Sequence, residues 1–290
     1  MKKILIVFAL LFCFSPVIMA QKPVKRALVF GIGEYKDPLW GKINGDKDID
    51  YVLKMLEVQK FDEVVVLKNE QATKKAMVNA FLDLAFRCNA GDKVYVHYSG
   101  HGQLMTDIDG DESLKWSGNH SKWDESWIPY DAYMMYGPND NGEKHFSDDE
   151  VSEYLKEIRS NIGDEGELIV VIDACHSGDG TCSVEDIPIR GIGVKFSIPR
   201  EDDMQDMDEP REPAKEEWLT ISACKPYQLN MEMREPNVGK LTYALYQMGV
   251  DLFDHDQAEL QEILVDFMEK NKGNLPQTPM VTGKKTTLQK

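Results

Sequence analysis

Short apolar runs alternate with amphipathic helical patterns along this 290-residue chain, and this alternation limits its fold more than any other feature. Each run is short and rich in Val, Ile or aromatic residues, which is typical of strands buried on both faces. The runs lie at residues 27–32, 64–67, 94–98, 168–172 and 218–222. A strand pattern that keeps returning after a helix pattern indicates a mainly parallel sheet.

Helical periodicity fills most of the intervals between these runs. One stripe of apolar side chains recurs at helical spacing in each of the segments 48–58, 73–88, 147–160, 240–248 and 257–270. Helices that connect parallel strands must cover the faces of the sheet. The sequence therefore predicts an α/β fold in which helices lie on both faces of a central, mostly parallel sheet.

Residues 1–20 have the pattern of a secretory signal peptide: a basic start, an apolar run over residues 4–14, and the small Ala20 before the expected cleavage site. The apolar run is short for a membrane-spanning helix, which needs about 20 residues. Ile18 is larger than the residue usual at three positions before a cut, so an uncleaved anchor is the alternative. We expect an exported protein, periplasmic or secreted, that leaves the membrane after cleavage.

The chain carries 33 basic and 50 acidic side chains, a net charge of −17. Binding of nucleic acid or of anionic lipid requires basic side chains, so this balance argues against both partners. Residues 21–290 are long enough to form one large domain. Within it, the Pro-rich, acidic segment 183–217 is predicted to be a linker between a large part, about 25–182, and a small part, about 218–283.

Two Gly-flanked motifs follow predicted strands and carry reactive side chains. His101 lies in the motif at residues 99–102, and Cys175 lies in the motif at residues 173–178. Ligands of open α/β sheets bind at the carboxyl ends of the strands, so we expect His101 and Cys175 to meet there. A thiol beside an imidazole is the arrangement of nucleophilic catalysis, and glycines leave backbone N–H groups free to hold an oxyanion.

Together these motifs resemble those of the metacaspase branch of the caspase-like cysteine peptidases, over about residues 25–283. Further similar segments lie at residues 26–33, 44–48, 127–131, 221–224, 239–242 and 276–279. The resemblance implies a caspase-like three-layer α/β/α sandwich with a central, mostly parallel sheet. It also implies peptide-bond hydrolysis by a His101/Cys175 dyad, with the backbone N–H groups of Gly102 and Cys175 as the oxyanion hole.

The same resemblance implies a specificity pocket for a cationic side chain. The positions that match the pocket of the family are Asp48, Ser99, Asp131 and Asp173. Carboxylates there would attract Arg or Lys, with Arg somewhat better because a guanidinium pairs with a carboxylate in two places. As alternatives, Asp48 caps a helix and Asp131 belongs to a turn.

Calcium is considered as an activator, because many metacaspases require it, although the chemistry itself needs no cofactor. The candidate ligands are Asp107, Asp109 and Asp111. Their segment has glycine at the fourth position of the cluster, whereas an EF-hand loop has it at the sixth. A solvated acidic loop is therefore the alternative.

The predicted linker also holds candidate sites for self-cleavage, because an enzyme specific for basic residues could cut its own chain there. These candidates are Arg190, Lys195, Arg200, Arg211 and Lys215. The alternative is an uncut, flexible tether.

We expect an exported, monomeric cysteine endopeptidase whose partners are peptides or proteins with Arg or Lys before the scissile bond. One alternative is a catalytically silent calcium-binding or interaction module on the same fold. Another is a zinc hydrolase with ligands drawn from His97, His101, Cys175 and His176, although their spacing is unlike that of known zinc motifs. In an oxidising compartment, a Cys175–Cys182 disulfide would silence the enzyme.

Overall fold

The computed structural model describes residues 22–108, 123–175, 183–184, 187–199, 217–226, 228–249, 251–271 and 275–284. The predicted signal peptide at residues 1–20 lies outside the described residues, and so does the part of the predicted linker from 200 to 216. Within the described part of the chain, no helix is both long and apolar enough to cross a membrane.

Thirteen strands occur in the described residues, and six of them form the central sheet. In chain order the strands are β1 (Lys25–Gly31), β2 (Glu63–Lys68), β3 (Lys93–Ser99), β4 (Gly102–Thr106), β5 (Trp123–Trp127), β6 (Phe146–Ser147), β7 (Glu167–Asp173), β8 (Ser183–Val184), β9 (Ile187–Pro188), β10 (Leu219–Ser222), β11 (Glu232–Met233), β12 (Val238–Gly239) and β13 (Met280–Gly283). The central sheet has the order β13-β10-β7-β3-β1-β2.

All neighbours in the central sheet are parallel except β13, which pairs antiparallel with β10. The five predicted strands all occur, each within two residues of its expected bounds. Strand β13 was not predicted, because its four residues include only two apolar side chains and give no buried run. Since β10 pairs with β7, the chain on both sides of the linker contributes to one sheet.

Five α-helices lie in the described residues: α1 (Gly45–Val58), α2 (Lys74–Arg87), α3 (Asp148–Ile162), α4 (Lys240–Met248) and α5 (Gln257–Lys270). Thr73 caps the start of α2 by accepting a hydrogen bond from the N–H of Ala76, and Ser147 caps α3 by accepting from that of Glu150. These caps fix where each helix begins relative to the strand before it. The predicted bounds of the helices differ from the observed ones by at most three residues.

Side chains of the strands alternate between two hydrophobic cores. Leu28 of β1 packs into the core that contains Phe81 of α2 and Ile158 of α3. Its neighbour Val29 packs into the opposite core, which contains side chains of α1, α4 and α5 such as Leu241. Burial of each such side chain contributes about 1.5–3 kcal/mol to the free energy of unfolding. The predicted three-layer α/β/α fold is therefore confirmed, and it directs the carboxyl ends of β1, β3 and β7 to one edge.

Candidate active site

Strands β3 and β7 bring His101 and Cys175 to the same edge of the sheet. The two strands pair in parallel, with Ser99 opposite Asp173 on the last rung. Neighbouring strands lie about 4.8 Å apart. His101 and Cys175 each follow two residues after that rung, so the register of the sheet places both residues at the same edge.

The His101 side chain is buried and held in a single orientation. Its Nε2 lies 2.8 Å from the carbonyl oxygen of Gly41, which can only accept, so Nε2 carries the proton. Its ring stacks on Trp40, at 5.3 Å between centroids, and lies 5.2 Å from the ring of Tyr35. Nδ1 has no hydrogen-bond partner among the residues that the structure describes. This nitrogen is therefore available to accept a proton.

Burial also keeps His101 neutral. Removal of the ring from water is the main reason that the pKa of His101 is lowered to about 4; the bond to Gly41 acts in the opposite direction, and the positive charge of Arg190 adds to the lowering. At neutral pH the imidazole is therefore a free base. It has the proton arrangement that a general base requires.

Cys175 is buried next to a second thiol. Its Sγ donates to the carbonyl oxygen of Gln228 at 3.1 Å, and Sγ of Cys224 donates to the same oxygen at 3.3 Å. A hydrogen bond with Cys175, together with burial, raises the pKa of Cys224 well above its ordinary value. Cys224 thus stays protonated, and a cavity of about 140 Å³ borders both thiols.

The backbone beside these two side chains already holds a carbonyl oxygen. The N–H groups of Gly102 and Cys175 both donate to the carbonyl oxygen of Arg190, at 3.2 and 2.9 Å. Two converging N–H groups next to a nucleophile form the geometry of an oxyanion hole. The family resemblance of the sequence implies that role for the same two groups.

The side chain of Arg190 extends from this carbonyl into a closed acidic pocket. Its Nη1 and Nη2 donate to the two carboxylate oxygens of Asp48, at 2.5 and 3.0 Å. Its Nε donates to Glu232 at 3.0 Å, and Nη1 lies 3.4 Å from a carboxylate oxygen of Asp173. All four side chains are fully buried. Each nitrogen of the guanidinium therefore faces a carboxylate.

Polar groups behind the pocket hold the carboxylates in place. Thr242 donates through its hydroxyl and its N–H to Asp173, at 2.6 and 2.9 Å, and Asn230 donates to the other oxygen of Asp173 at 2.8 Å. The N–H of Gly239 donates to Asp48 at 2.8 Å. Ser99 lies behind Thr242: its hydroxyl is 3.5 Å from that of Thr242 and 2.8 Å from Nε2 of His97.

The pKa values of Asp48 and Asp173 are shifted in opposite directions within the pocket. Burial raises the pKa of Asp48 to about 6 although Arg190 lowers it. Burial also raises the pKa of Asp173, but Arg190 and the hydrogen bonds from Asn230 and Thr242 outweigh burial, so the net shift is downward. Burial lowers the pKa of Arg190, but the three carboxylates outweigh it and raise this pKa well above its ordinary value. The pocket therefore holds the Arg190 guanidinium as a permanent cation among its carboxylates.

Comparison with known proteins identifies the family of this chain. A family model described as a caspase domain, of the C14 peptidases, matches residues 24–287. The chain belongs to the caspase-domain peptidase family. Metacaspase-1B of Aspergillus fumigatus is 28% identical over 163 residues, which cover 53% of this chain and 35% of that protein. Metacaspase-1A of Neurospora crassa is 28% identical over 173 residues, which cover 57% and 33%.

The caspase-domain chain thus spans about a third of the length of the curated relatives that it matches. Among solved structures, protein GSU0716 from Geobacter sulfurreducens has a TM-score of 0.61 at 22% identity and covers 90% of this chain and 93% of its own. Caspase-1 from Spodoptera frugiperda has a TM-score of 0.58 at 15% identity, with coverage of 92% and 91%. At these identities the two structures support the caspase fold alone.

One predicted pocket residue of the caspase-domain chain lies elsewhere. Asp131 was expected beside Asp48 and Asp173, but its carboxylate accepts a hydrogen bond from the N–H of Lys74 at 2.8 Å. A helix leaves its first N–H groups unpaired, and Asp131 satisfies one of them at the start of α2. The third acid of the pocket is Glu232, which no motif in the sequence indicated.

The candidate calcium site is only partly described. Asp107 is buried, whereas Asp109 and Asp111 lie outside the described residues. Among the residues that the structure describes, no group of three or more His, Cys, Asp or Glu side chains is arranged to hold a metal ion. For the zinc alternative, His97 is buried between Tyr95 and Ser99, at 2.8 Å from each, and His176 lies outside the described residues. The described side chains therefore supply no donor set against which either metal can be fitted.

Proposed function

We propose that this protein is a cysteine endopeptidase that hydrolyses peptide bonds after Arg and, less efficiently, after Lys. The observation that carries the proposal is the position of Arg190. Its side chain fills a buried acidic pocket while its carbonyl oxygen accepts from the N–H groups of Gly102 and Cys175. A substrate residue must make the same two sets of contacts for Cys175 to attack its carbonyl carbon.

In the proposed reaction, Nδ1 of His101 takes the proton of the Cys175 thiol as the sulfur attacks the carbonyl carbon of the substrate. The negative charge on oxygen is held by the N–H groups of Gly102 and Cys175, and one such donor contributes about 3–4 kcal/mol to the transition state. His101 then gives the proton to the leaving amine. Water hydrolyses the acyl-enzyme and regenerates the thiol.

The bond from Nε2 of His101 to Gly41 supports this role, because it fixes the tautomer that leaves Nδ1 without a proton. Cys175 donates its own proton to Gln228 in the present state, so the nucleophile is a thiol that must be activated. Family membership supports the assignment of Cys175 as nucleophile, since caspase-domain peptidases are cysteine peptidases.

The pocket favours Arg over Lys for a geometric reason. Asp48 accepts from both terminal nitrogens of Arg190, and Glu232 accepts from Nε. A lysine ammonium is a single point that can face Asp48 but has no counterpart of Nε for Glu232. An acidic side chain in this pocket would add a fourth buried negative charge, so cleavage after Asp is excluded by repulsion.

The experiment is a set of fluorogenic peptides that differ only in Arg, Lys or Asp before the coumarin group, assayed with the full chain and with Cys175→Ala. We expect turnover in the order Arg, then Lys, with none after Asp and none in the variant. Equal turnover in Cys175→Ala would overturn the proposal. Binding of calcium without any turnover would favour the silent module instead.

Calcium dependence, export and oligomeric state remain parts of the same proposal. We propose that calcium activates the enzyme and takes no part in bond breaking, that the protein is exported after removal of residues 1–20, and that it acts as a monomer. The peptide assay repeated with calcium and with chelator tests the first. Amino-terminal sequencing of protein recovered outside the cytoplasm tests the second, and sedimentation of the purified protein tests the third.

The proposed enzyme also cuts itself in the linker at 183–217. Of the candidate residues there, Arg190 and Lys195 are described, and they differ sharply in surroundings. Arg190 is fully buried in the pocket, whereas Lys195 is exposed and lies over the ring of Trp123 at 4.3 Å. Arg200, Arg211 and Lys215 lie outside the described residues.

A further inference from the structure

Two cysteines follow the neighbouring strands β7 and β10 at the carboxyl edge of the sheet. Ser222 pairs with Ile172 on the last rung between these strands, and the N–H of Ala223 donates to the carbonyl oxygen of Ile172 at 3.1 Å. Cys224 follows this rung by two residues and Cys175 by three. Neighbouring strands lie about 4.8 Å apart, and a disulfide joins residues whose Cα atoms are about 4.4–6.8 Å apart. The backbone spacing at this end of the sheet therefore suits a disulfide.

The side chains of Cys175 and Cys224 converge on one atom. Both Sγ atoms donate to the carbonyl oxygen of Gln228, at 3.1 and 3.3 Å. The two sulfurs are also hydrogen-bonded to each other, and this bond is the main reason that the pKa of Cys224 is raised well above its ordinary value. Both cysteines are buried and free in the structure. The two thiols are therefore in contact, with no covalent bond between them.

The loop that carries the shared acceptor is held by its own hydrogen bonds. The N–H of Gln228 donates to the carbonyl oxygen of Lys225 at 2.9 Å, which closes a turn. The side-chain oxygen of Gln228 accepts from the N–H of Thr278 at 2.7 Å, and its Nε2 donates to the hydroxyl of Thr278 at 3.2 Å. These bonds fix the backbone that faces the two sulfurs. The contact between the thiols is therefore built into the fold.

The two cysteines differ in how readily they react with an oxidant, because the thiolate is the reactive form. Cys224 is held as a thiol, since a hydrogen bond with Cys175, burial, and charges that include those of Asp173 and Glu125 all raise its pKa. Cys175 is the group that His101 deprotonates in the proposed reaction. An oxidant therefore reacts first with Cys175, and Cys224 is the second thiol beside it.

A cavity of about 140 Å³ borders both sulfurs. Its lining includes Lys225 and Glu125 besides the two cysteines. One water molecule needs about 10–15 Å³ of such space, so hydrogen peroxide has room there. Because both sulfurs are buried, a folded protein has no such access to them. A small hydroperoxide is therefore the class of oxidant that fits this site.

From this geometry, and resting on the proposed function for the identity of the nucleophile, we propose that Cys175 and Cys224 form a reversible disulfide when the protein meets a hydroperoxide. The peptidase is inactive while this bond exists, because its nucleophile is blocked. The bond also protects Cys175, since a sulfenic acid without a partner thiol is oxidised further to a sulfinic acid, which thiol reductants do not reverse. Cys224 takes no part in peptide hydrolysis; it makes the oxidation of Cys175 reversible.

The two steps balance with hydrogen peroxide as the oxidant. Cys175 gives its proton to His101, and its sulfur attacks one oxygen of the peroxide. The O–O bond breaks, the leaving hydroxide takes the proton from His101 to give water, and Cys175 becomes a sulfenic acid. The sulfur of Cys224 then attacks the sulfur of Cys175, and the S–O bond breaks. The hydroxyl leaves with the proton of Cys224 as water, so two thiols are oxidised and one peroxide is reduced.

The first test maps disulfides in the full chain after reduction, treatment with hydrogen peroxide, alkylation and digestion with trypsin without reductant. Cys175 and Cys224 lie in separate tryptic peptides, because basic residues such as Lys215 lie between them, whereas Cys182 shares the peptide of Cys175. We expect the two peptides to be joined in the wild-type protein. The same link in Cys182→Ala assigns it to Cys175. Cys88→Ala, the matched control, removes a buried thiol at the end of α2 and should leave the link unchanged.

The second test follows turnover of an Arg-coumarin peptide before and after peroxide. Wild type and Cys88→Ala should lose turnover as the linked peptide accumulates, and dithiothreitol should restore it fully. Cys224→Ser keeps a donor for Gln228 but cannot form the link. Peroxide should therefore abolish its turnover permanently and leave Cys175 as a sulfinic acid, with two added oxygen atoms. Cys224→Ala should behave in the same way, and each variant is compared with its own turnover under reductant.

The possible outcomes separate the inference from the proposed function. A link from Cys175 to Cys182 in place of Cys224 would overturn the inference, and so would a sulfinic acid on wild-type Cys175 without any linked peptide. Recovery of Cys224→Ser in dithiothreitol equal to that of wild type would do the same. Each of these results leaves the reduced peptidase in place. Absence of turnover in the reduced wild-type chain, with the linked peptide still formed after peroxide, would instead overturn the proposed function and leave the disulfide.

Discussion

Arg190 and His101 are both buried at the carboxyl edge of the sheet, yet they differ in how completely their nitrogen atoms are hydrogen-bonded. Every nitrogen of the Arg190 guanidinium faces a carboxylate, and those carboxylates accept further bonds from residues such as Thr242. His101 has one nitrogen bonded to Gly41 and one without any partner in the described part of the chain.

This difference suits the two regions to different roles, the pocket to binding of the substrate and His101 to transfer of a proton. A fully paired buried network is rigid and specific for one ligand, because any other occupant leaves a costly unpaired group. A buried base must keep one position open for the proton that it will receive. The pocket is therefore expected to control KM, and the imidazole is expected to control kcat.

Replacement of His101 by Ala should give the largest effect, a fall in kcat of about 10²–10⁴-fold, because it removes the only proposed acceptor for the thiol proton. The release of coumarin from an Arg peptide measures it, with Cys175→Ala as the background. His255→Ala is the matched control, since His255 lies just before α5, at 3.4 Å from Glu259, and has no place in the proposed site. A kcat within a few-fold of wild type in His101→Ala would assign the base to another group.

Asp48→Asn should act on KM instead. The change removes the charge from two charge-assisted bonds to the substrate guanidinium, so KM for Arg peptides should rise about 100-fold, or about 2.8 kcal/mol at 1.4 kcal/mol per tenfold change. Asp131→Asn is the matched control, because Asp131 bonds to the start of α2 and not to Arg190. Its KM should equal that of wild type. Equal increases in the two variants would return Asp131 to the pocket.

The catalytic pair and the pocket also differ in how well the sequence predicts them. The location of His101 and Cys175 at one edge of the sheet follows from strand periodicity, since each residue follows a buried strand and the two strands are neighbours. Residues of the pocket come from loops and helix starts that meet only through tertiary packing. For Asp131 the sequence left a pocket residue and a turn residue open, and the structure instead joins it to Lys74, 57 positions away in the chain.

Two features could not be predicted from local patterns at all. Glu232 lies in a two-residue strand, too short to show a period, and it reaches Arg190 across 42 positions of the chain. The main-chain pairing of the linker was also not predicted, because the composition of 183–217 left self-cleavage and an uncut, flexible tether open. The main-chain bonds that hold residues 190 and 196 do not depend on composition.

Lowering the pH should affect the pocket and the imidazole differently, and the difference should appear in KM and kcat. Because burial raises the pKa of Asp48 to about 6, this carboxylate gains a proton as the pH falls through 6 and loses its attraction for Arg. The pKa of His101 is lowered to about 4, so the imidazole remains a free base over the same range. Between pH 6 and pH 4, KM should therefore rise by up to about tenfold per pH unit while kcat holds.

The measurement is a full rate profile of the processed enzyme at each pH, with an Arg peptide. Arg190 lowers the pKa of Asp48, so in an enzyme whose pocket is free of Arg190 the increase in KM should begin at pH 6 or above. A profile in which kcat falls near pH 6 and KM stays flat would show that the proton is gained at the catalytic pair instead. Asp48→Asn should show no increase in KM over this range.

The smallest expected effect concerns Glu232, and it tests how the pocket distinguishes Arg from Lys. Glu232 accepts from Nε and Nη2 of Arg190 through one oxygen, while Asn44 donates to both of its oxygens. In Glu232→Gln the amide can still accept from the guanidinium, but its NH₂ group then faces the NH₂ of Asn44. KM for Arg peptides should rise about 3- to 10-fold, in line with loss of one charge-assisted bond. KM for Lys peptides should hardly change, because Lys has no Nε–H to donate, so the ratio between the two substrates should shrink. An equal loss on both substrates would mean that Glu232 acts through the total charge of the pocket, and the preference for Arg would then rest on Asp48 alone.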